Sequence, residues 1–192
     1  MRVLSALFFV ILFSSVSFAG GDIEPYFEAL KNSGANFEPD GTVCEEIARL
    51  EVTKEFGDAY EVTTGVEYSL GKDTIGELDV VVFERATHKV VLVAEVKCWK
   101  NLQQAMGKLK AQRDRFTWNL TKHAAHIQFQ PDEGLSFRAE DFQGPFKFRA
   151  ISQFGGLKKG FDQEIQLTLT EVQQLRSKLL KCQAWGECLR PQ

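Results

Sequence analysis

Apolar positions along this chain recur first with helical spacing, then with strand spacing, then with helical spacing again, and the changes of period predict its elements. Val43, Ile47 and Leu50 repeat at intervals of four and three, as one buried helix face requires. Before them, Thr42-Val43-Cys44-Glu45 reads as a capping box, with Thr42 at the N-cap and Glu45 at N3. That helix is expected to run to about Phe56 and stop at Gly57, a residue suited to a left-handed C-terminal position. The period then shortens. Tyr60 to Leu70 alternates through Val62, Val66 and Tyr68, Leu78 to Phe83 is a β-branched run, and Val90 to Val96 is another. Gly71-Lys72-Asp73 and Thr87-His88-Lys89 are short turns, so three consecutive strands should pair antiparallel. Helical spacing returns over Lys100 to Leu120, with Leu102, Ala105, Met106, Leu109, Arg113 and Phe116 on one stripe. A strand at Ala125 to Phe129 follows, then strands near Phe146 to Phe154 and Glu164 to Leu169 and a helix over Thr170 to Lys181. A short amphipathic helix is expected over Asp22 to Ser33. The pattern is that of one α/β domain whose core runs helix, three strands, helix, strand.

The first nineteen residues follow a different logic. Arg2 gives a positive start, Val3 to Phe13 is apolar apart from Ser5, and Ser17-Phe18-Ala19 is a small-x-small cleavage site before Gly20. This is the pattern of a secretory signal peptide over 1–19, leaving 20–192 as a single domain. The apolar run falls short of the roughly 20 residues a membrane helix needs, and no later stretch approaches that length. The mature chain is therefore expected to be exported, periplasmic or secreted, without membrane insertion.

Export changes the reading of the cysteines. Cys44, Cys98, Cys182 and Cys188 are an even number, which in an oxidising compartment points to disulfides. Zinc is the competing use, but there is no Cys-x-x-Cys pair, and His88, His123 and His126 form no familiar ligand pattern. Cys182 and Cys188 are close enough around Gly186 to staple the C-terminus, which leaves Cys44 with Cys98. Cys98 faces the opposite side of its strand from Lys97, the side a packing helix would cover, and Cys44 lies in the first turn of such a helix.

The formal charge of −3 gives no hint of a partner, but its distribution is uneven. Residues 20–96 carry 17 Asp and Glu against 6 Lys and Arg, whereas 97–126 carry 7 Lys and Arg against the single Asp114. Candidate chemistry sits at that boundary. Alternation puts Glu95 and Lys97 on one face of a strand that is otherwise apolar, and charges on such a strand need a reason. Asp79, at the end of the neighbouring strand, can converge with them. Two carboxylates with carbonyl and water oxygens make a hard-oxygen site for Mg²⁺ or Mn²⁺. A lysine beside it would orient water or stabilise developing negative charge, as phosphodiester hydrolysis requires.

Gly76-Glu77-Leu78-Asp79 followed by Glu95-Val96-Lys97 resembles the PD-(D/E)xK nuclease superfamily, and is similar to the Gly-Glu-Ile-Asp form of its Holliday-junction-resolvase-like branches. Leu78 stands where the name of the motif has proline. The resemblance covers Thr42 to about Phe116. It implies a restriction-endonuclease-like αβββαβ core with a central mixed sheet flanked by helices. It also implies a metal held by Asp79 and Glu95, and Lys97 as the lysine of the pair. Many members add a glutamate from the first helix, for which Glu46 is the best match and Glu51 the alternative; Glu77 is a candidate minor ligand. Lys100, Lys108, Lys110, Arg113 and Arg115 follow the site where a phosphate backbone would pass. Gln112 with Phe116 resembles the Gln-x-x-x-aromatic spacing of RecB-like members. Trp99 and Trp118 are read as core residues rather than as base-stacking platforms.

The expected function is an exported Mg²⁺-dependent deoxyribonuclease, an endonuclease, with DNA preferred to RNA. A non-catalytic nucleic-acid or envelope-partner module on the same fold is the alternative, and an acid/base glycan hydrolase is a third, which leaves Lys97 without a role. His123 and His126 have no Gly-x-Ser-x-Gly elbow to activate, and no phosphate-binding glycine loop occurs. Asn119-Leu120-Thr121 is a glycosylation sequon.

Overall fold

The strand-forming middle of the chain builds the frame on which everything else is hung. In the computed structural model, which describes residues 21–130 and 135–191, β1 (Tyr60–Leu70), β2 (Asp73–Glu84) and β3 (Val90–Lys97) form an antiparallel meander. The expected signal peptide lies outside the described residues. β4 (Ile127–Phe129), β5 (Lys147–Ser152) and β6 (Gln163–Glu164) extend the meander to a six-stranded mixed sheet, ordered β4-β1-β2-β3-β5-β6. Four helices cover it: α1 (Glu24–Leu30), α2 (Thr42–Phe56), α3 (Leu102–Lys122) and α4 (Leu169–Trp185). The protein is an α/β domain, and among the described residues no helix is long and apolar enough to cross a membrane.

Alternation sorts the side chains into two layers. Val80, Val82, Leu92, Ala94 and Val96 meet Val43, Ile47 and Val52 of α2 and Val172, Leu175 and Leu179 of α4. On the other face Val81, Phe83 and Val93 join an aromatic cluster around the buried Phe116 of α3. The Phe116 ring lies 5.1 Å from Tyr68 and 5.4 Å from Phe142, edge to face in both cases. β3 is thus covered on both sides, as its nearly continuous apolar sequence requires.

The strand expected over Ala125 to Phe129 is the shorter β4, Ile127–Phe129, paired antiparallel with the far edge of β1. The parallel neighbour of β3 is β5, in the register Glu95 to Ala150 and Lys97 to Ser152. Thr42 does not cap α2. The N-cap is Gly41, whose carbonyl accepts from Cys44 N and Glu45 N, and no side chain closes the turn. A capping box does form at α4, where Thr168 and Glu171 bond reciprocally. Both cysteine pairs are bonded as expected, Cys44 with Cys98 and Cys182 with Cys188. Such bonds are compatible with an exported protein.

Candidate active site

The β2–β3 ladder runs only as far as Val80 opposite Ala94, and beyond that pair the strands part. The Val96 amide, which would otherwise continue the ladder, donates instead to Asp79 Oδ2 at 2.7 Å. On the other side of β2, Gly65 of β1 adopts φ 68° between Thr64 and Val66, whose partners Val80 and Leu78 flank Asp79. That positive φ suits glycine. Gly76, at the head of the Gly-Glu-Leu-Asp run, is required for space: a Cβ there would lie 2.7 Å from Tyr68 Oη.

Three charged side chains fill the fork. Lys97 Nζ donates to Asp79 Oδ2 at 2.8 Å and lies 3.7 Å from Glu95 Oε2. Asp79 is 4 % exposed and Glu95 2 %. Glu95 Oε2 is buried with no hydrogen-bond partner, an expensive state for a carboxylate oxygen. Burial, and then the neighbouring Asp79, push the Glu95 carboxyl well above the usual carboxylate range, against the opposing pull of Lys97. Burial draws the Lys97 ammonium down, but Asp79, Glu95 and Glu45 together outweigh it and hold it above its ordinary value.

The glutamates of α2 are placed differently from the expectation. Glu46 is engaged by other partners: its Oε2 accepts from Arg49 Nε and Nη2 at 2.9 and 2.8 Å, and its Oε1 from Thr64 Oγ1 at 3.1 Å. Glu51 accepts from the Tyr26 hydroxyl and from Gln163. Glu45, released from capping, is the helix carboxylate that shares the field of Asp79 and Lys97. Burial first, then Asp79 and Glu77, raise it to about 8. It packs over the backbone of Gly41, where a Cβ would lie 2.5 Å from Glu45 Oε1. Glu77 is likewise raised, first by partial desolvation of its carboxyl and then by Asp79.

A cavity of about 890 Å³ opens over this corner between α2, α3 and α4, and Glu45, Lys97, Lys100, Lys108, Gln112 and Arg115 line it. Helical geometry explains the selection, since 108, 112 and 115 fall on one face of α3. Lys110 and Arg113 fall on another face and line a separate cavity of about 120 Å³ that Glu95 also borders. Phe116 is core. Trp99 is half-buried on the wall of the large cavity with Lys108 Nζ 4.2 Å above its ring. Trp118, expected in the core, is 55 % exposed and packs edge-on against the His123 ring. Asn119 is buried, its Nδ2 donating to the Arg115 carbonyl, so the sequon is closed to modification in the folded chain.

Among the described residues, no group of three or more His, Cys, Asp and Glu side chains is disposed as a ready metal cage. The donor chemistry at the fork nevertheless suits a hard cation. It offers carboxylate oxygens, one of them buried without a hydrogen bond and 3.7 Å from the Lys97 ammonium. Comparison with family models, with curated proteins and with solved structures gives no significant match.

Proposed function

We propose that the protein is an exported, metal-dependent nuclease that hydrolyses DNA phosphodiester bonds on a restriction-endonuclease-like core of the PD-(D/E)xK kind. The observation that carries this reading is the convergence of Asp79, Glu95 and Lys97 at the strand fork, with Glu95 Oε2 buried without a hydrogen bond and Lys97 on the wall of a large cavity that Lys100, Lys108 and Arg115 also line. Asp79 and Glu95 are the residues that would hold Mg²⁺ or Mn²⁺, with Glu45 rather than Glu46 as the helix carboxylate. The bound cation supplies charge neutralisation and a lowered pKa for water. Lys97 keeps its proton in this acidic setting and presents it to the scissile phosphate or to the attacking water. Lys100, Lys108 and Arg115 hold the phosphate backbone along the cavity, and Gln112 donates or accepts beside them. The buried Lys97–Asp79 pair fixes the ammonium where it is needed, a positioning role more than a stabilising one.

Supercoiled plasmid incubated with the purified, oxidised protein should be nicked and linearised in Mg²⁺, and left intact in EDTA. Asp79→Asn and Lys97→Met should each abolish cutting. Cleavage that persists in EDTA, or at the wild-type rate in either variant, overturns the assignment. Binding to DNA without cleavage under any metal would return the protein to a non-catalytic nucleic-acid module.

A further inference from the structure

β3 and β5 run parallel with Lys97 opposite Ser152, so their C-terminal ends emerge side by side and the segment leaving β5 starts beside the candidate site. That segment, Gln153 to Phe161, reads Gln-Phe-Gly-Gly-Leu-Lys-Lys-Gly-Phe and contains no carboxylate. Its two ends are fixed. Gln153 clamps the backbone of Trp99, accepting from its amide at 3.1 Å and donating to its carbonyl at 2.8 Å. Phe161 is buried against Ala105, Met106 and Leu109 of α3. Between them Glu164 Oε2 accepts from Gly155 N and Leu157 N at 2.8 and 3.1 Å. Gly155 and Gly160 adopt φ 96° and 88°. A side chain on Gly156 would strike Ser152 Oγ. The loop is therefore a shaped element, and it spends its order on turning four side chains outward. Phe154 is 48 % exposed, Leu157 53 %, and Lys158 and Lys159 are exposed.

Resting on the nuclease reading above, we propose that this loop is a second nucleic-acid-contacting arm: Phe154 and Leu157 press against bases while Lys158 and Lys159 take the flanking phosphates. An aromatic and an aliphatic tip beside paired lysines match the two parts of a nucleic acid, a π-face that stacks without regard to sequence and a charged backbone. The fixed link through Gln153 and Trp99 sets the arm at one distance from Lys97, so the bases it grips lie at a set spacing from the bond to be cut.

Binding of short fluorescein-labelled duplex and single-stranded DNA is measured by anisotropy across a range of salt in EDTA, for the wild type, Phe154→Ala/Leu157→Ala and Lys158→Gln/Lys159→Gln. The apolar double variant should bind on the order of tenfold more weakly with an unchanged salt slope. The lysine double variant should lose about 1.8 from the slope of log K against log salt on duplex. All four side chains are exposed, so unfolding midpoints should stay at the wild-type value and serve as the control. Equal affinity and equal slopes in all three proteins, with wild-type binding intact, overturn the arm alone and leave the loop to a partner other than nucleic acid. A wild type that neither binds DNA nor cuts plasmid in Mg²⁺ overturns the nuclease reading and the arm with it.

Discussion

The Cys44–Cys98 bond joins the first turn of α2 to the residue after β3, so it ties Glu45 to Lys97 through their immediate chain neighbours. Breaking it with Cys44→Ala/Cys98→Ala should therefore affect both stability and the site. The bond spans 54 residues and Cys182–Cys188 spans 6. In the chain-entropy model these separations correspond to about 4 and about 2 kcal/mol respectively. For a domain of this size each kcal/mol moves the unfolding midpoint by about 2–4 °C. Loss of Cys44–Cys98 should thus lower it by on the order of 10 °C, and loss of Cys182–Cys188 by about half as much. Scanning calorimetry on both double variants and the wild type, at one scan rate and in EDTA, measures the pair of shifts. Plasmid cutting in Mg²⁺, well below the lower midpoint, measures the effect on the site. The Cys44–Cys98 variant should cut more slowly while still folded, whereas the Cys182–Cys188 variant, whose bond lies at the C-terminal end of α4, should cut at the wild-type rate. A larger midpoint loss from the shorter bond would refute the entropy reasoning. Undiminished cutting without Cys44–Cys98 would refute the coupling of that bond to the site.

Three further outcomes follow from the geometry. Glu45→Gln should reduce cleavage at least tenfold more than Glu46→Gln, since Glu46 is held by Arg49 and Thr64; the reverse order in a plasmid assay would restore Glu46 to the site. Lys108→Gln/Arg115→Gln should flatten the salt dependence of DNA binding by about 1.8, as two lost phosphate contacts require, and more than Lys110→Gln/Arg113→Gln, which alters a different face of α3; equal effects would count against the large cavity as the DNA path. The hydrogen bond from Arg149 holds the Glu55 carboxyl below its ordinary value against a smaller effect of burial, so its contribution is present above the unfolded pKa and disappears as pH falls through the folded one. Because Glu55 is about half exposed, that contribution is less than about 1 kcal/mol, and the midpoints of wild type and Glu55→Gln should differ slightly at neutral pH and converge below about pH 4.

The strands were the most legible part of the fold because their residues obey one strong rule. Tyr60 to Leu70 alternates loosely and forms β1 over those same residues. β2 extends back to Asp73, past its β-branched run, because its polar beginning gains backbone bonds from the hairpin with β1, a non-local benefit that composition does not encode. Which strand lies beside β3 was not legible either. Ala125 to Phe129 and Phe146 to Phe154 both look like strands, and only packing on α3 and on the aromatic cluster decides that the second one pairs parallel with β3.

At the candidate site, strand periodicity was enough to put Glu95 and Lys97 on one face, and the structure brings Asp79 to them. Choosing among the glutamates of α2 required more than periodicity, because 45 and 46 are adjacent and differ only in what already holds them. The Thr42 box misleads here: it assigns Glu45 to the backbone, whereas Gly41 takes the N-cap and the Glu45 carboxylate stays in the field of Asp79. Gly41 itself was the available signal, since it is the residue whose missing side chain makes room for Glu45. The loop at Phe154 shows the same limit. Its glycines and lysines are visible in the sequence, but their nearness to Lys97 exists only through the parallel pairing of β3 with β5 and the clamp of Gln153 on Trp99. Local patterns fix which residues carry charge and which face they take. Long-range pairing decides which of those charges meet: at this fork Asp79 and Glu95 meet Lys97, and Glu45 lies within their field.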